Sequence, residues 1–159
     1  MGAAPGARIL RSDVLRKRLA HVPPEQKLPE SLYSPLASQT VYRLLVDLAG
    51  RHLTHGTAVI ADSVASRLDE RASMAQAALH ARAPFIGLWL EASEDIRLAR
   101  VCGRGADASD ADAGVVVAQS EARSPPPADW ERLAAGLPLA DVVASARRVI
   151  REALPASLS

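Results

Sequence analysis

The sequence predicts an α/β domain with a largely parallel sheet and helices on both faces. Three observations predict this class: apolar runs alternate with helical segments, the apolar runs are short, and two of them end close to an aspartate. Strands that alternate with helices favour right-handed βαβ crossovers, and hence a parallel sheet. The length of 159 residues suits one domain, which we predict over residues 7–153, between a disordered tail at 1–6 and a C-terminal tail at 154–159.

The composition argues against several classes of protein. The net charge of +1 produces no field that favours nucleic acid or a membrane surface, and aromatic residues make up only 3%. Cys102 is the only cysteine, which excludes an intramolecular disulfide and a cysteine-based zinc site. No run approaches the roughly 18 apolar residues of a membrane helix, and the N-terminus lacks the apolar region of a secretory signal. We expect a cytoplasmic protein without membrane or nucleic-acid partners.

The first third of the chain predicts a strand, a short helix, a loop and a long helix. Residues 7–13 form the strand and its closing polar turn, and residues 14–19 form the short helix. Prolines mark residues 22–35 as a loop. Ser34 followed by Pro35 is a favourable helix start, because serine caps the helix and proline suits its first turn. The helix continues to about Thr54, with an apolar stripe at Val41, Leu44, Leu45 and Leu48.

The remaining elements continue the alternation. The apolar run at residues 57–62 predicts a buried parallel strand that ends at Asp62. The next elements are predicted as helix 68–82, strand 85–90, helix 93–102, a helix from Ser109 to about Ala122 with Asp112 in a capping box, edge strand 130–133, and helix 138–153. Ligands of such sheets bind at the carboxyl ends of the strands.

Asp13 and Asp62 each lie at the carboxyl end of a predicted strand. An acid that closes an apolar strand can hold Mg²⁺ beside phosphates, which is one interpretation of Asp62; the other is a cap of the following turn. A carboxylate at Asp13 could accept the proton of a substrate hydroxyl that attacks a phosphoryl group. The alternative is that Asp13 is a helix N-cap.

Four arginines are further candidates. Arg16, one turn after Asp13, could clamp an anionic substrate group, and Arg67 could line the same cleft. Arg100 and Arg104 flank a glycine-containing loop and could neutralise charge on a transferred phosphoryl group. For all four, the alternative is a solvated arginine, and near a helix C-terminus the helix dipole alone favours one.

Four stretches, ARILRSDVLRKRL, VIADSVASRLDER, FIGLWLEAS and RGADASDAD, occur in this order. In order and spacing they resemble a P-loop kinase domain of the AAA_33 type over roughly residues 7–150. The resemblance implies a three-layer P-loop NTPase-like sheet, ATP and Mg²⁺ as cofactors, and transfer of the γ-phosphoryl group to a small-molecule hydroxyl. It also implies a fused or paired domain similar to aminoglycoside phosphotransferases.

The same resemblance implies residue roles. Asp13 matches the acid that contacts or deprotonates the acceptor, and Arg16 matches the substrate-contacting arginine of the Asp-x-x-Arg pattern. Asp62 matches the Walker B position, which binds the metal. Arg100 and Arg104 match the lid arginines, which act on the transferred group and the nucleotide.

The sequence departs from the family pattern at the phosphate-binding loop. No G-x-x-x-x-G-K-[ST] occurs in the 159 residues, so the phosphate cradle and its lysine are absent from them. The family's first strand, P-loop and first helix are therefore expected to be missing, which would leave a groove where that central strand belongs. Smaller departures are the extra Ala106 before Asp107 and Leu68 where the family usually has proline.

Three interpretations of function follow. The first is an N-terminally truncated kinase domain that is inactive alone and binds ATP weakly or not at all. The second is a non-catalytic α/β interaction or regulatory domain, a pseudokinase. The third, a kinase that processes nucleic acid, predicts a basic groove, and the near-neutral charge argues against it.

Overall fold

The computed structural model describes residues 6–103, 109–110, 114 and 124–154. The chain divides into two compact units, residues 1–83 with 104–110, and residues 84–103 with 111–159. The predicted tails lie almost entirely outside the described residues, as does most of the predicted helix between Ser109 and Ala122.

The first unit contains a pair of parallel strands and their helices. Its elements are β1 (Arg8–Arg11), α1 (Ser12–Leu19), a 3-10 turn (Glu30–Tyr33), α2 (Pro35–Thr54), β2 (Val59–Asp62) and α3 (Leu68–His80). Strands β1 and β2 pair in parallel, with Ile9 opposite Ile60 and Arg11 opposite Asp62. The two strands that precede Asp13 and end at Asp62 are therefore direct neighbours.

Helix α2 begins where the sequence predicts. The Ser34 hydroxyl accepts a hydrogen bond from the backbone N–H of Ala37, and Pro35 is the first helical residue. The buried face of the helix forms the core of the unit together with residues of β1 and α1. This core consists of Leu10, Leu15, Val41, Leu45 and Ala49, with Leu44 and Leu48 packed against it. The predicted apolar stripe is therefore confirmed.

Strand β2 is less buried than its sequence predicts. Val59 packs against the core, but Ile60 remains 53% exposed and Asp62 is exposed as well. The expectation of a fully buried strand is wrong because β2 pairs only with β1 among the described strands. Successive side chains of a strand point to opposite faces, and only the face of Val59 contacts the core here.

The second unit contains a second parallel pair. Its elements are β3 (Leu88–Glu91), α4 (Glu94–Cys102), β4 (Glu131–Ala134) and α5 (Leu139–Ala153). Strands β3 and β4 pair in parallel from Leu88 opposite Glu131 to Glu91 opposite Ala134. The Ser93 hydroxyl caps α4 by accepting from the N–H of Ile96, as predicted.

An α/β fold with parallel strands is thus present, but the expected single sheet is not seen within the described residues. These strands form two separate pairs, β1 with β2 and β3 with β4. Each pair has the parallel sense that the crossover argument predicts. No helix in the described ranges is both long enough and apolar enough to cross a membrane.

Candidate functional site

Asp13 and Asp62 lie at the same edge of the β1–β2 pair. Asp62 is the last residue of β2, and Asp13 is the second residue of α1, which begins directly after β1. Since the strands are parallel and in register from Arg8 to Arg11, their carboxyl ends meet at one edge. The two carboxyl groups also interact electrostatically, because the negative charge of Asp62 contributes to raising the pKa of Asp13. The two candidate acids therefore lie together at one edge of this strand pair.

The environment of Asp13 disfavours its ionised form. Burial is the main cause that raises the pKa of this carboxyl above its usual range, and the charge of Asp62 adds to it. A hydrogen bond from Ser109 and the charge of Arg16 oppose this effect without cancelling it. The N-cap alternative is wrong, because the capping position is Arg11 and Asp13 lies inside the helix. A raised pKa makes a carboxylate a stronger proton acceptor, which is the direction that favours general-base catalysis.

Asp62 is an exposed carboxylate with one cationic neighbour. Its Oδ2 accepts from Arg11 Nε at 3.1 Å, across the two strands and between register partners. The Asp62 side chain is 59% exposed, so this pair is held in a well-solvated setting. Surface pairs of this kind are weak, typically about 0–1 kcal/mol, so Arg11 could be displaced by a stronger cation.

Arg16 is buried against the chain's own atoms. The residue is 8% exposed, and its guanidinium donates to the carbonyl of Leu32 at 2.6 Å and to the Ser38 hydroxyl at 3.3 Å. The guanidinium also lies over the ring of Tyr33, 4.7 Å from its centre. Its Nε is buried and has no acceptor among the described residues. The structure thus gives Arg16 an internal role beside Asp13, and its contact with a substrate stays a prediction.

The sequence also predicts site roles for three other arginines. Arg67 is exposed and forms a two-point ion pair with Asp69, with both distances 2.9 Å. Arg100 lies exposed in the last turn of α4, in the second unit. Arg104 lies outside the described residues. Their roles in binding and catalysis stay predictions.

The loop after Asp62 is fixed by two residues that the sequence argument did not single out. The Tyr42 hydroxyl accepts from the N–H of Ala65 at 2.8 Å. Arg71, which is buried, donates to the carbonyls of Ala65 at 2.7 Å and Ser66 at 2.8 Å. Ala65 itself has a φ of 42° and is buried. A non-glycine residue in this region is strained, so the hydrogen bonds from both sides hold a conformation that the loop would not adopt alone.

The sequence gives little signal for these two anchors. Tyr42 and Arg71 look like ordinary helical residues, since their roles depend on a loop whose backbone conformation is set by tertiary structure. The one available clue is spacing: Arg71 follows Asp62 within a segment that the family resemblance includes.

The described residues suit the magnesium-binding part of an ATP–magnesium site and do not suit its phosphate cradle. Mg²⁺ is usually held by one or two carboxylates together with substrate phosphates, and Asp62 is an exposed carboxylate of this kind. Among the described residues, no three His, Cys, Asp or Glu side chains form a metal-binding group. A phosphate cradle needs a glycine-rich turn between a strand and a helix. The described turns from β1 to α1 and from β2 to α3 contain no glycine.

Comparison with solved structures supports the fold. A gluconokinase from Sinorhizobium meliloti 1021 superimposes with a TM-score of 0.60 at 18% sequence identity, and the match covers 93% of this chain and 79% of that chain. At this identity the likeness establishes that the two proteins share an α/β fold and nothing finer. Among curated proteins, no sequence match was found.

Comparison with protein families also gives a match. The AAA_33 family, described as an AAA domain, matches residues 1–126, which is most of the chain. The resemblance found in the four sequence stretches is therefore confirmed at the level of the family. The chain belongs to the AAA_33 family of AAA domains.

Proposed function

We propose that this chain is part of a kinase domain and contributes the residues that bind the acceptor substrate and the metal ion. The complete domain would transfer the γ-phosphoryl group of ATP to a small-molecule hydroxyl. One observation carries the proposal: Asp13 and Asp62 lie at the carboxyl ends of adjacent parallel strands and interact electrostatically. In open α/β sheets this edge is where ligands bind.

Asp13 is the proposed general base. Burial raises its pKa above the ordinary value, and a higher pKa makes the carboxylate a stronger acceptor for the proton of an attacking hydroxyl. The hydrogen bond from Ser109 orients the carboxyl, and Arg16 lies one turn away on the same helix. We assign Arg16 and Arg67 to the binding of the acceptor, and this assignment rests on the family pattern.

Asp62 is the proposed metal ligand. A Mg²⁺ ion bound there would neutralise charge on the transferred phosphoryl group. Binding would require Asp62 to leave its exposed pair with Arg11, which is weak enough to exchange. Arg100 and Arg104 are the proposed nucleotide-binding and charge-neutralising arginines of the complete domain.

The phosphate cradle must come from residues other than the 159 present. Because these contain no G-x-x-x-x-G-K-[ST], we propose that the chain represents an N-terminally truncated kinase domain, inactive alone. A domain similar to aminoglycoside phosphotransferases is the proposed fused or paired partner.

One observation favours a second candidate, a non-catalytic interaction or regulatory domain. The carboxylate of Asp62 is already paired with Arg11. The Arg16 guanidinium donates to a carbonyl and a hydroxyl group of the chain itself. A pseudokinase would keep the α/β framework with its site residues turned to internal contacts of this kind.

A titration with Mg·ATP tests the missing cradle. We expect the chain alone to bind no tighter than about 1 mM, since the backbone N–H groups that hold the phosphates are not provided. Micromolar affinity would contradict this account. Heat of binding and ³¹P shifts, measured with and without Mg²⁺, give independent readouts.

A complemented protein tests the kinase activity itself. A strand, P-loop and helix from an AAA_33 relative would be joined ahead of residue 7, and phosphorylation of a panel of small hydroxyl compounds would be followed. We expect turnover that Asp13→Asn lowers by about 10²–10⁴-fold, the usual contribution of a general base. ATP binding without any turnover, unaffected by Asp13→Asn, would favour the non-catalytic candidate.

A further inference from the structure

Asp110 contacts residues that surround the proposed acceptor site. It pairs with Lys17, one turn after Asp13 on α1. Asp110 belongs to the first unit, although it lies 82 positions after the loop residue Leu28, whose N–H it accepts. A contact this distant in sequence fixes the position of α1 in a way that local structure cannot.

The Asp110 carboxylate accepts hydrogen bonds from three donors among the described residues. Its Oδ1 accepts from Lys17 Nζ at 2.8 Å, and its Oδ2 accepts from the Tyr33 hydroxyl at 2.6 Å and from the N–H of Leu28 at 2.9 Å. Burial raises the pKa of Asp110, but the hydrogen bonds from Lys17 and Tyr33 outweigh it and hold the pKa below the usual range. A buried carboxylate with three donors has one favoured position, and so do its donors.

Tyr33 contacts both Asp110 and Arg16, and so links their positions. Its hydroxyl is bound to Asp110 while its ring lies under the Arg16 guanidinium, 4.7 Å from the ring centre. The guanidinium also donates to the carbonyl of Leu32, the residue next to Tyr33. Fixing the hydroxyl of Tyr33 therefore fixes both the aromatic surface and the acceptor that hold Arg16.

We propose that Asp110 is a positioning residue of the acceptor side: acting through Tyr33, it sets the position of Arg16. The proposal rests on the proposed function for its meaning in catalysis. Asp110 touches no substrate atom in this account and acts only through Tyr33 and Arg16. The acceptor would be a small hydroxyl compound with an anionic group, since Asp13 would take a proton and Arg16 would attract a negative charge.

Exchange of the Arg16 Nε–H with solvent tests the proposal on the full chain. We expect Asp110→Asn and Tyr33→Phe each to speed this exchange by about tenfold or more, which is the order expected when a hydrogen bond to a charged group is lost. Asp47→Asn, which removes an exposed carboxylate of α2, is the control. Tyr33→Phe keeps the ring and gives a second reading if Asp110→Asn does not fold.

A purely structural role predicts a different pattern. Asp110→Asn and Tyr33→Phe would then lower the melting temperature, but far below it the Arg16 exchange would stay at the wild-type rate, and that result overturns the proposal. Both readouts use the chain without nucleotide. Failure of the proposed kinase activity would appear instead in the complemented protein, so the two failures are distinguishable.

Discussion

Lys17 and Asp110 form an ion pair, 2.8 Å from Nζ to Oδ1, with only 1% and 7% of their side chains exposed. Lys17 also donates to the carbonyl of Pro24 at 2.6 Å, so both charges have further partners. A buried pair is weak evidence of net stabilisation, because desolvation offsets the attraction between the charges. Removing one partner is expected to destabilise the fold, since it leaves the other charge buried without compensation.

Lys17→Met tests this consequence. We expect a loss of about 3–5 kcal/mol in the free energy of unfolding, the usual cost of breaking a buried pair from one side. Urea denaturation would measure it, together with a fall in Tm of roughly 6–20 °C for a chain of this size. Arg18→Met is the control, because Arg18 is exposed on the same helix and should change stability by no more than about 0.5 kcal/mol. Equal losses in both variants would show that the ion pair is not responsible.

The same pair predicts a pH dependence. The pKa of Asp110 lies below its ordinary value of 3.8, so the folded state favours the ionised carboxylate. The stability that Asp110 contributes is therefore complete above pH 3.8 and is lost as pH falls through its folded pKa. We expect Asp110→Asn to be less stable than the wild type at pH 7, and the gap to close in acid. A gap of constant size from pH 7 to pH 2 would contradict the assignment.

Gly87 predicts a steric effect in the second unit. A Cβ at this position would overlap the indole ring of Trp130, which packs edge-on against Trp89 and at a tilt against Phe85. We expect Gly87→Ala to destabilise by about 1–3 kcal/mol and to alter tryptophan fluorescence, because the rings must move. Gly50→Ala is the matched control: nothing lies within 4 Å of the added carbon, and α2 should gain about 0.5–1 kcal/mol.

Replacing Arg71 should reduce the order of the loop after Asp62. Arg71→Met removes the donors to the carbonyls of Ala65 and Ser66, so the strained φ of Ala65 loses part of its support. We expect a loss of about 2–4 kcal/mol and faster amide exchange at residues 63–66. Arg67→Met should change stability by no more than about 0.5 kcal/mol, since Arg67 pairs with Asp69 in solvent. Similar exchange rates in the two variants would contradict the role of Arg71.

The sequence predicts the local elements well because each carries its own signal. Ser34 and Pro35 mark the start of α2, and an apolar stripe with helical spacing identifies its buried face. Asp13 and Asp62 are found because an acid at the end of an apolar run has a recognisable form, and the parallel pairing of β1 and β2 follows from the alternation of strands and helices.

The contacts that organise the site have no such local signal. Asp110 binds Lys17 across 93 positions of the chain, and neither residue stands out from other charged residues in the sequence. Arg16 was expected to face a substrate, yet its guanidinium is occupied by Leu32 and Ser38. The direction of a long side chain depends on the loop packed beside it, and a spacing pattern along one helix does not contain that information.

Asp13 provides the last prediction, in which the site residue works against stability. Burial raises its pKa above 3.8, so its contribution to stability is complete below pH 3.8 and is lost as pH rises through the folded value. The burial that disfavours the ionised carboxylate therefore weakens the fold at pH 7, and we expect Asp13→Asn to raise Tm there. The difference should disappear in acid, where the wild-type carboxyl is protonated as well. Thermal melts across this range, with Asp47→Asn as the exposed control, measure it. If Asp13→Asn instead lowers Tm by the same amount at pH 7 and in acid, Asp13 stabilises the fold as a hydrogen-bonding residue, and burial of its charge is not what costs stability.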